Sequence, residues 1–316
     1  MNTTIDTKSK SAFLFPGQGS QVVGMGKELY ENSAAAKLVF DEIDDALNQP
    51  LSKLIFEGPE SELTQTRNAQ PGIMAVSLAA YKAMEELLGQ KDMPKPSFVA
   101  GHSLGEYTAL AITGSLDISN TAKLVQERGR LMQEACNLKP GTMAAIIGLE
   151  EIIIEEISRQ TGTYISNVNT DQQVVISGDI VAVAQALDMA SARGAKKAMP
   201  LKVSGAFHSA LMEPARDGLE SAVNAVNLKA PDTPIVANIT AKPIDTVHQL
   251  KNELVSQICE CVQWKRSVEY MISLGITNFI EIGPGKALHG MLKRIDKSVD
   301  SMSIGNLSSI QGLTLK

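Results

Sequence analysis

The chain has 316 residues, of which 44% are hydrophobic types, and this is enough to bury a core in one large domain or in two smaller ones. Its net charge of −6 argues against a general nucleic-acid-binding protein, because such proteins usually carry a basic excess. No apolar run reaches the length of a membrane span, and the apolar stretch after Lys8 and Lys10 is too short for a signal peptide, so we expect a cytoplasmic protein.

Strand and helix patterns alternate in the first 140 residues. They predict a strand near Phe13, helices over Glu28–Leu47 and Gly72–Leu88, a strand over Ser97–Ala100 and a helix over Ile118–Cys136. Such alternation is typical of a parallel sheet flanked by helices.

A different order follows Pro140. The patterns predict a strand over Met143–Gly148, a helix over Glu150–Gln160, strands over Tyr164–Val168 and Gln173–Ser177, a helix over Ile180–Arg193 and a strand over Lys197–Val203. This β-α-β-β-α-β order is that of a ferredoxin-like unit. The α/β pattern then resumes with a strand over Pro234–Ile239, a helix over Val247–Cys261, a strand over Asn278–Ile282 and a last helix after Gly285.

We therefore predict an α/β fold in which a hydrolase-like parallel-sheet subdomain carries an inserted ferredoxin-like subdomain. The large subdomain comprises residues 1–140 and 204–316, and the small one residues 141–203. Clefts between such units commonly bind ligands, so we expect the functional site between them.

The segment Gly101–Glu106, which reads GHSLGE, lies between the predicted strand Ser97–Ala100 and a helix-like run. A Gly-x-Ser-x-Gly pattern at such a junction is typical of a nucleophile elbow, a strained turn that exposes the serine hydroxyl. The glycines allow the strand and the helix to pass close together. Ser103 is therefore a candidate nucleophile, although the pattern alone also fits a packing turn.

Two further segments support a catalytic serine. Phe13–Gln21 is a strand that leads into a glycine-rich loop, whose free N–H groups can face an anion or oxyanion. Ser204–Ser209 contains His208, and a serine needs a base that titrates near neutral pH. His102 adjoins Ser103 but should point away from it along the strand, and we expect structural or surface roles for His248 and His289.

Other kinds of site find little support in the sequence. The chain has three cysteines, Cys136, Cys259 and Cys261, and their odd number and their spacing indicate neither a disulfide framework nor a zinc site. The glycines of the segment Gly17–Gly24 do not follow the dinucleotide-binding spacing, and Gly285–Lys286 lacks the first glycine of a Walker loop. We expect no metal and no bound cofactor.

Taken together, the motifs resemble those of malonyl-CoA:acyl-carrier-protein transacylases, the acyltransferases of fatty acid synthesis, which have relatives in polyketide synthases. Five segments in the same order carry the resemblance, which runs from about Phe13 to Arg294. They are Phe15–Gln21 (FPGQGSQ), Gly101–Glu106 (GHSLGE), Gln126–Gln133 (QERGRLMQ), Ala206–Ser209 (AFHS) and Glu281–Gly285 (EIGPG).

The resemblance implies a role for each candidate residue. Ser103 would be the nucleophile and His208 the base, with the main-chain carbonyl of Gln263 accepting the imidazole N–H. The amides of Gln18 and Leu104 would form the oxyanion hole, since the residue after the nucleophile is a natural donor.

Arg128 would bind the malonyl carboxylate through its planar guanidinium, whereas Arg130 is offset by about 200° on the helix and should face elsewhere. The resemblance also makes Phe207, Asn169 and Gln263 candidates for the substrate pocket, with Phe207 going with malonyl rather than methylmalonyl groups.

The expected partners are malonyl-CoA and the phosphopantetheine arm of an acyl carrier protein, both as substrates, and we expect a monomer that binds neither nucleic acid nor membrane. Because carrier proteins are typically acidic, four basic residues are candidates for a docking rim, although each also fits an ordinary solvated side chain: Lys196, Lys197, Lys286 and Arg294. A trans-acting polyketide acyltransferase, a serine thioesterase and a non-catalytic docking scaffold remain alternatives.

Overall fold

The computed structural model describes residues 3–5, 10–89 and 91–315, so Lys8 and the two ends of the predicted large subdomain lie outside the described residues. The strands are β1 Thr3–Ile5, β2 Ser11–Phe15, β3 Pro96–Gly101, β4 Thr142–Ile147, β5 Tyr164–Thr170, β6 Gln173–Gly178, β7 Lys197–Pro200, β8 Ile235–Val236, β9 Pro243–Ile244, β10 Asn278–Ile282, β11 Asp300–Ile304 and β12 Leu313–Leu315. The helices are α1 Lys27–Asn32, α2 Ala34–Leu47, α3 Leu51–Glu57, α4 Glu60–Leu63, α5 Thr66–Leu88, α6 Leu104–Ile112, α7 Ile118–Leu138, α8 Glu151–Thr161, α9 Ile180–Ala192, α10 Glu213–Ala225, α11 Val247–Ser256, α12 Trp264–Ser273, α13 Ala287–Ile295 and α14 Leu307–Gln311. Among the described helices, none is long and apolar enough to cross a membrane.

A six-stranded sheet in the order β11-β10-β2-β3-β8-β9 forms the centre of the larger part of the fold. All neighbouring strands are parallel except the pair β8 and β9. Every residue of β2 is buried, as expected when helices cover both faces of a parallel sheet. The predicted parallel-sheet α/β class is confirmed, and loops that follow β2, β3 and β8 meet at one edge of the sheet.

The second sheet is antiparallel and has the strand order β5-β6-β4-β7, which is the ferredoxin-like arrangement. Helices α8 and α9 pack on it around a separate apolar cluster that includes Ile146, Ile154 and Ile176. Strand β5 also bonds to the larger part, because Val168 donates its N–H to the carbonyl of Val262 at 2.9 Å. The exact boundaries at 140/141 and 203/204 stay a prediction.

Several predicted elements have different bounds. The helix predicted over Glu28–Leu47 is wrong as one element, because Ser33 ends α1 and its hydroxyl caps α2 by accepting from the Ala36 N–H at 3.0 Å. The strand predicted over Pro234–Ile239 is only two residues long. The helix after Gly285 is followed by β11, α14 and β12. The helix predicted to reach Cys261 ends at Ser256, and this early end shapes the site described below.

Candidate active site

Ser103 occupies a sharp turn between β3 and α6. Its backbone lies at φ 51° and ψ −104°, a strained conformation for a non-glycine residue. A Cβ atom on Gly101 would lie 1.8 Å from the carbonyl carbon of Gly105, and one on Gly105 would lie 2.1 Å from the carbonyl oxygen of Phe15. Only glycine fits both positions, so the structure has the geometry of the predicted nucleophile elbow.

The hydroxyl of Ser103 is hydrogen-bonded to the imidazole of His208, with 2.8 Å between Oγ and Nε2. The other ring nitrogen, Nδ1, lies 2.8 Å from the carbonyl oxygen of Gln257 and 3.2 Å from that of Glu260. Because a carbonyl only accepts, Nδ1 carries the proton and Nε2 is free to receive the serine proton. Burial, with help from the charge of Arg128, lowers the pKa of His208 to about 3, so the ring is neutral at pH 7 and its Nε2 lone pair is free.

The predicted role of Gln263 is wrong on both counts. Its carbonyl accepts from the Ser267 N–H at 2.9 Å inside α12, and its side chain accepts from Arg266. It does not line the cleft around Ser103. The reason is the early end of α11, since the turn after Ser256 carries the carbonyl of Gln257 to His208.

Arg128 projects from α7 beside the serine and is 1% exposed. Its guanidinium donates to the side-chain oxygens of Gln70 at 2.6 Å and Gln257 at 2.9 Å, and to Ser103 Oγ at 3.2 Å. It also lies over the ring of Tyr107, with 5.0 Å between Cζ and the ring centroid. These partners are uncharged, so the arrangement leaves a buried cation that suits an anionic substrate group.

Arg130 shows the contrast that the helix geometry predicts. It points to solvent from the same helix and forms ion pairs with Glu127 and Glu134. The two arginines therefore lie on different faces of α7, and only Arg128 belongs to the site.

Gln18 and Leu104 line the same cleft as Ser103. Within the described part of the chain, neither amide N–H donates to a main-chain carbonyl. Two free N–H groups beside a nucleophile are what an oxyanion hole requires. The side chain of Gln18 donates to Thr66 Oγ1 at 3.3 Å, which holds the loop in place.

The cleft has a volume of about 250 Å³ and is lined by the antiparallel sheet, by the segments that follow β2 and β3, and by α13. Phe207 and Asn169, both predicted, lie in its wall. Asn169 Oδ1 is 3.0 Å from His102 Nε2, and the His102 ring packs against Trp264. His102 thus contributes to the wall as well as to packing. The remaining lining is largely apolar and includes Met132, Met143, Val175, Leu201, Val203 and Met291.

Comparison with known proteins agrees with this geometry. Residues 12–309 match the family model described as acyl transferase domain. A malonyl CoA-acyl carrier protein transacylase from Bacillus subtilis (strain 168) is 41% identical over 308 residues, which is 96% of each chain. The chain belongs to the malonyl-CoA:acyl-carrier-protein transacylase family.

Solved structures show the same relationship. An acyl-carrier-protein S-malonyltransferase from Bartonella henselae is 44% identical, with a TM-score of 0.92 over 96% of this chain and 97% of that one. A malonyl-transacylase in complex with a type II polyketide synthase acyl-carrier protein is 37% identical, with a TM-score of 0.91 over 96% of this chain and 98% of that one.

Beyond the predicted residues, this transacylase site contains three polar side chains that our sequence analysis did not assign. Asn238 Oδ1 accepts from the Ser103 N–H at 2.7 Å, and Gln257 Nε2 donates to the Ser103 carbonyl at 3.0 Å. Gln70 holds Arg128 from α5. No local pattern marks Gln70 or Gln257, and Asn238 falls inside the strand predicted over Pro234–Ile239, whereas β8 ends at Val236 and leaves Asn238 in the loop that follows it.

No group of three or more His, Cys, Asp or Glu side chains that could hold a metal ion occurs within the described residues. Burial raises the pKa of Cys259 and Cys261 to about 12, so neither thiol offers a thiolate ligand or nucleophile at pH 7.

Proposed function

We propose that this chain transfers the malonyl group of malonyl-CoA to the pantetheine thiol of an acyl carrier protein, and so supplies the extender unit for fatty acid biosynthesis. The observation that carries this proposal is the position of Arg128. A buried cation with uncharged partners lies 3.2 Å from the nucleophilic Oγ of Ser103, where it can bind the carboxylate of a malonyl thioester.

In the first half of the reaction, Nε2 of His208 takes the proton of Ser103 as Oγ attacks the thioester carbonyl carbon. The oxyanion of the tetrahedral intermediate accepts from the amides of Gln18 and Leu104. When the intermediate collapses, the C–S bond breaks and His208 gives its proton to the departing coenzyme A thiolate. The product is a malonyl ester on Ser103.

In the second half, the pantetheine thiol of the carrier protein gives its proton to His208 and its sulfur attacks the ester. The C–O bond to Ser103 breaks, the oxygen takes the proton back, and the malonyl group leaves as a thioester. Bonds are exchanged with no change of oxidation state, so we propose that the reaction uses no cofactor. We also propose a cytoplasmic monomer, in keeping with the sequence.

The decisive experiment is intact-mass spectrometry of the protein after mixing with malonyl-CoA, with and without acyl carrier protein. A malonyl-enzyme that is stable alone and discharges onto carrier protein is the expected result, and Ser103→Ala should form no adduct. Rapid discharge to water would indicate a thioesterase, and the absence of any adduct would indicate a docking scaffold. Carrier proteins of fatty acid and polyketide synthesis, compared as acceptors, distinguish the two pathways.

A further inference from the structure

Glu106 is a fully buried carboxyl group just behind the nucleophile, and the reaction steps above do not use it. It lies in the first turn of α6 and is 0% exposed. Its Oε1 accepts from the main-chain N–H of Asn238 at 2.9 Å and from the Asn238 side chain at 3.0 Å. Its Oε2 accepts from Nε2 of Gln257 at 2.5 Å. A buried carboxyl group needs such donors to offset its lost hydration.

The contact between Glu106 and Gln257, together with that between Gln257 and the Ser103 carbonyl, determines which way the Gln257 amide points. Because the nitrogen of the Gln257 amide faces Glu106, its oxygen faces Arg128 and accepts from the guanidinium at 2.9 Å. A reversed amide would place an NH₂ group against the guanidinium, and donor would then meet donor. The orientation of Gln257 is thus a condition for the position of Arg128.

We propose that Glu106 is a positioning residue for substrate recognition: it fixes the Gln257 amide and, through it, the guanidinium of Arg128 that binds the malonyl carboxylate. The inference rests on the proposed function. Three N–H donors point at the two oxygens of Glu106, which suits an acceptor-only carboxylate. Burial and the neighbouring Glu253 raise the pKa of Glu106, whereas these hydrogen bonds and the charge of Arg128 favour its charged form.

Glu106→Gln tests this inference because it keeps the shape and removes the second acceptor. With its oxygen kept towards Asn238, the new amide must direct its nitrogen at the NH₂ group of Gln257, so that donor meets donor and the Gln257 amide is displaced from its place between Arg128 and the Ser103 carbonyl. We expect the ratio of kcat/KM for malonyl-CoA to that for acetyl-CoA to fall about tenfold, mainly through a higher KM for malonyl-CoA. Glu106→Asp should recover part of the ratio, since it restores the acceptors.

Glu281→Gln is the matched control. Glu281 is also 0% exposed and also accepts from N–H groups, those of Leu288 at 3.1 Å and His289 at 2.8 Å, but it contacts neither Gln257 nor Asn238. This control should lower the melting temperature and keep the wild-type ratio. An unchanged ratio in Glu106→Gln, or an equal fall in both variants, would overturn the proposal.

A second variant covers the case in which Glu106→Gln does not fold. Gln257→Met keeps the main-chain carbonyl for His208 and removes the side-chain link to Arg128, so the malonyl-to-acetyl ratio should again fall about tenfold. A wild-type ratio in this variant would also refute the inference. Failure of the proposed function looks different, because the wild-type protein itself would then form no malonyl adduct.

Discussion

The imidazole of His208 donates its Nδ1 proton to the main-chain carbonyl of Gln257, 2.8 Å away. In a Ser-His-Asp triad, a carboxylate takes this position and stabilises the imidazolium ion. A neutral carbonyl fixes the same tautomer but gives less support to the charged ring. The pair of Ser103 and His208 is therefore preorganised for proton transfer with a weakly basic imidazole, in keeping with a pKa of about 3 for His208.

His208→Ala should slow formation of the malonyl-enzyme by about two to four orders of magnitude, because general base catalysis contributes that much. The first-order rate of adduct formation can be followed by quenched mass spectrometry at saturating malonyl-CoA. Ser209→Ala is a neighbouring control, since its hydroxyl forms hydrogen bonds within the local turn, donating to the Ala206 carbonyl at 2.6 Å and accepting from the Leu211 N–H at 3.3 Å. A similar loss in both variants would mean that the segment, and not the imidazole, matters.

The low pKa of His208 has a consequence for the pH profile. A base with an ordinary pKa of about 6.5 would be only about one tenth neutral at pH 5.5. Burial and Arg128 lower the pKa of His208 to about 3, so it stays neutral and active there. We expect acylation by acetyl-CoA at pH 5.5 to keep more than about half of its rate at pH 7.5.

The low pKa of His208 also makes the stability of the protein depend on pH. Keeping His208 neutral contributes stability that is present above pH 6.5 and is lost as the pH falls towards 3. Arg128→Ala removes one of the two causes that lower the pKa of His208. The acid limb of the pH–rate profile with acetyl-CoA should therefore move to higher pH, while burial still holds the pKa of His208 below 6.5. A limb near 6.5 in the wild-type protein would contradict this account.

Sequence patterns predicted the parts of the site that depend on local geometry. The spacing of Gly101, Ser103 and Gly105 predicted the elbow, because β3, α6 and β2 pass so close together that only glycine fits there. The carbonyl partner of His208 could not be predicted in this way, because it depends on where α11 ends. The helix periodicity of the sequence runs on to Cys261, whereas tertiary contacts end the helix at Ser256 and turn Gln257 inward.

The buried amides were missed for a related reason. Gln70 lies in the second turn of α5, before the start of the helix predicted from Gly72, and Gln257 lies in a turn; nothing in the neighbouring residues marks either of them. Their significance comes from the distances of 2.6 Å and 2.9 Å to a guanidinium that is remote in sequence. Hydrogen bonds to a buried cation from residues so distant in sequence can be recognised only once the packing of the helices is known.

Arg128→Ala should depress malonyl transfer and keep or improve acetyl transfer. A charged hydrogen bond contributes about 1.5–3 kcal/mol, which is about one to two orders of magnitude in kcat/KM. Arg128→Lys should recover only part of the loss, because a lysine lacks the planar fork. The measurement is kcat/KM for both thioesters in each variant.

Arg130→Ala is the control for this substitution on the same helix. Its side chain is exposed and, among the described residues, forms ion pairs with Glu127 and Glu134 alone, so both thioesters should be transferred at nearly wild-type rates. A parallel fall for malonyl and acetyl groups in Arg128→Ala would show that Arg128 supports the fold alone.

Docking of the carrier protein should depend on salt. Lys196, Lys197, Lys286 and Arg294 are all exposed, and Lys286 directly precedes residues of α13 that line the cleft. Added salt should therefore raise the KM for carrier protein more than the KM for malonyl-CoA. Lys286→Glu should have the same effect at low salt. Lys123→Glu makes the same charge change at an exposed position away from the cleft and should leave the KM for carrier protein unchanged. Equal effects of the two variants would refute a docking role for Lys286.

Gly105→Ala tests how strictly the elbow depends on close packing. The new Cβ would lie 2.1 Å from the carbonyl oxygen of Phe15, and both atoms belong to rigid elements, so β2 and α6 would have to separate. We expect a loss of about 3 kcal/mol in the free energy of unfolding, measured in urea, and no malonyl-enzyme, because the shift also displaces the Leu104 amide. Gly290→Ala is the control, since Gly290 lies within α13 and, in the described part of the chain, no atom outside its own helical turns lies within 4 Å of the added Cβ. That substitution should stabilise the protein by about 0.5–1 kcal/mol, because alanine favours a helix over glycine. Wild-type stability in Gly105→Ala would mean that the two elements can move apart freely, and the strained turn at Ser103 would then need another cause.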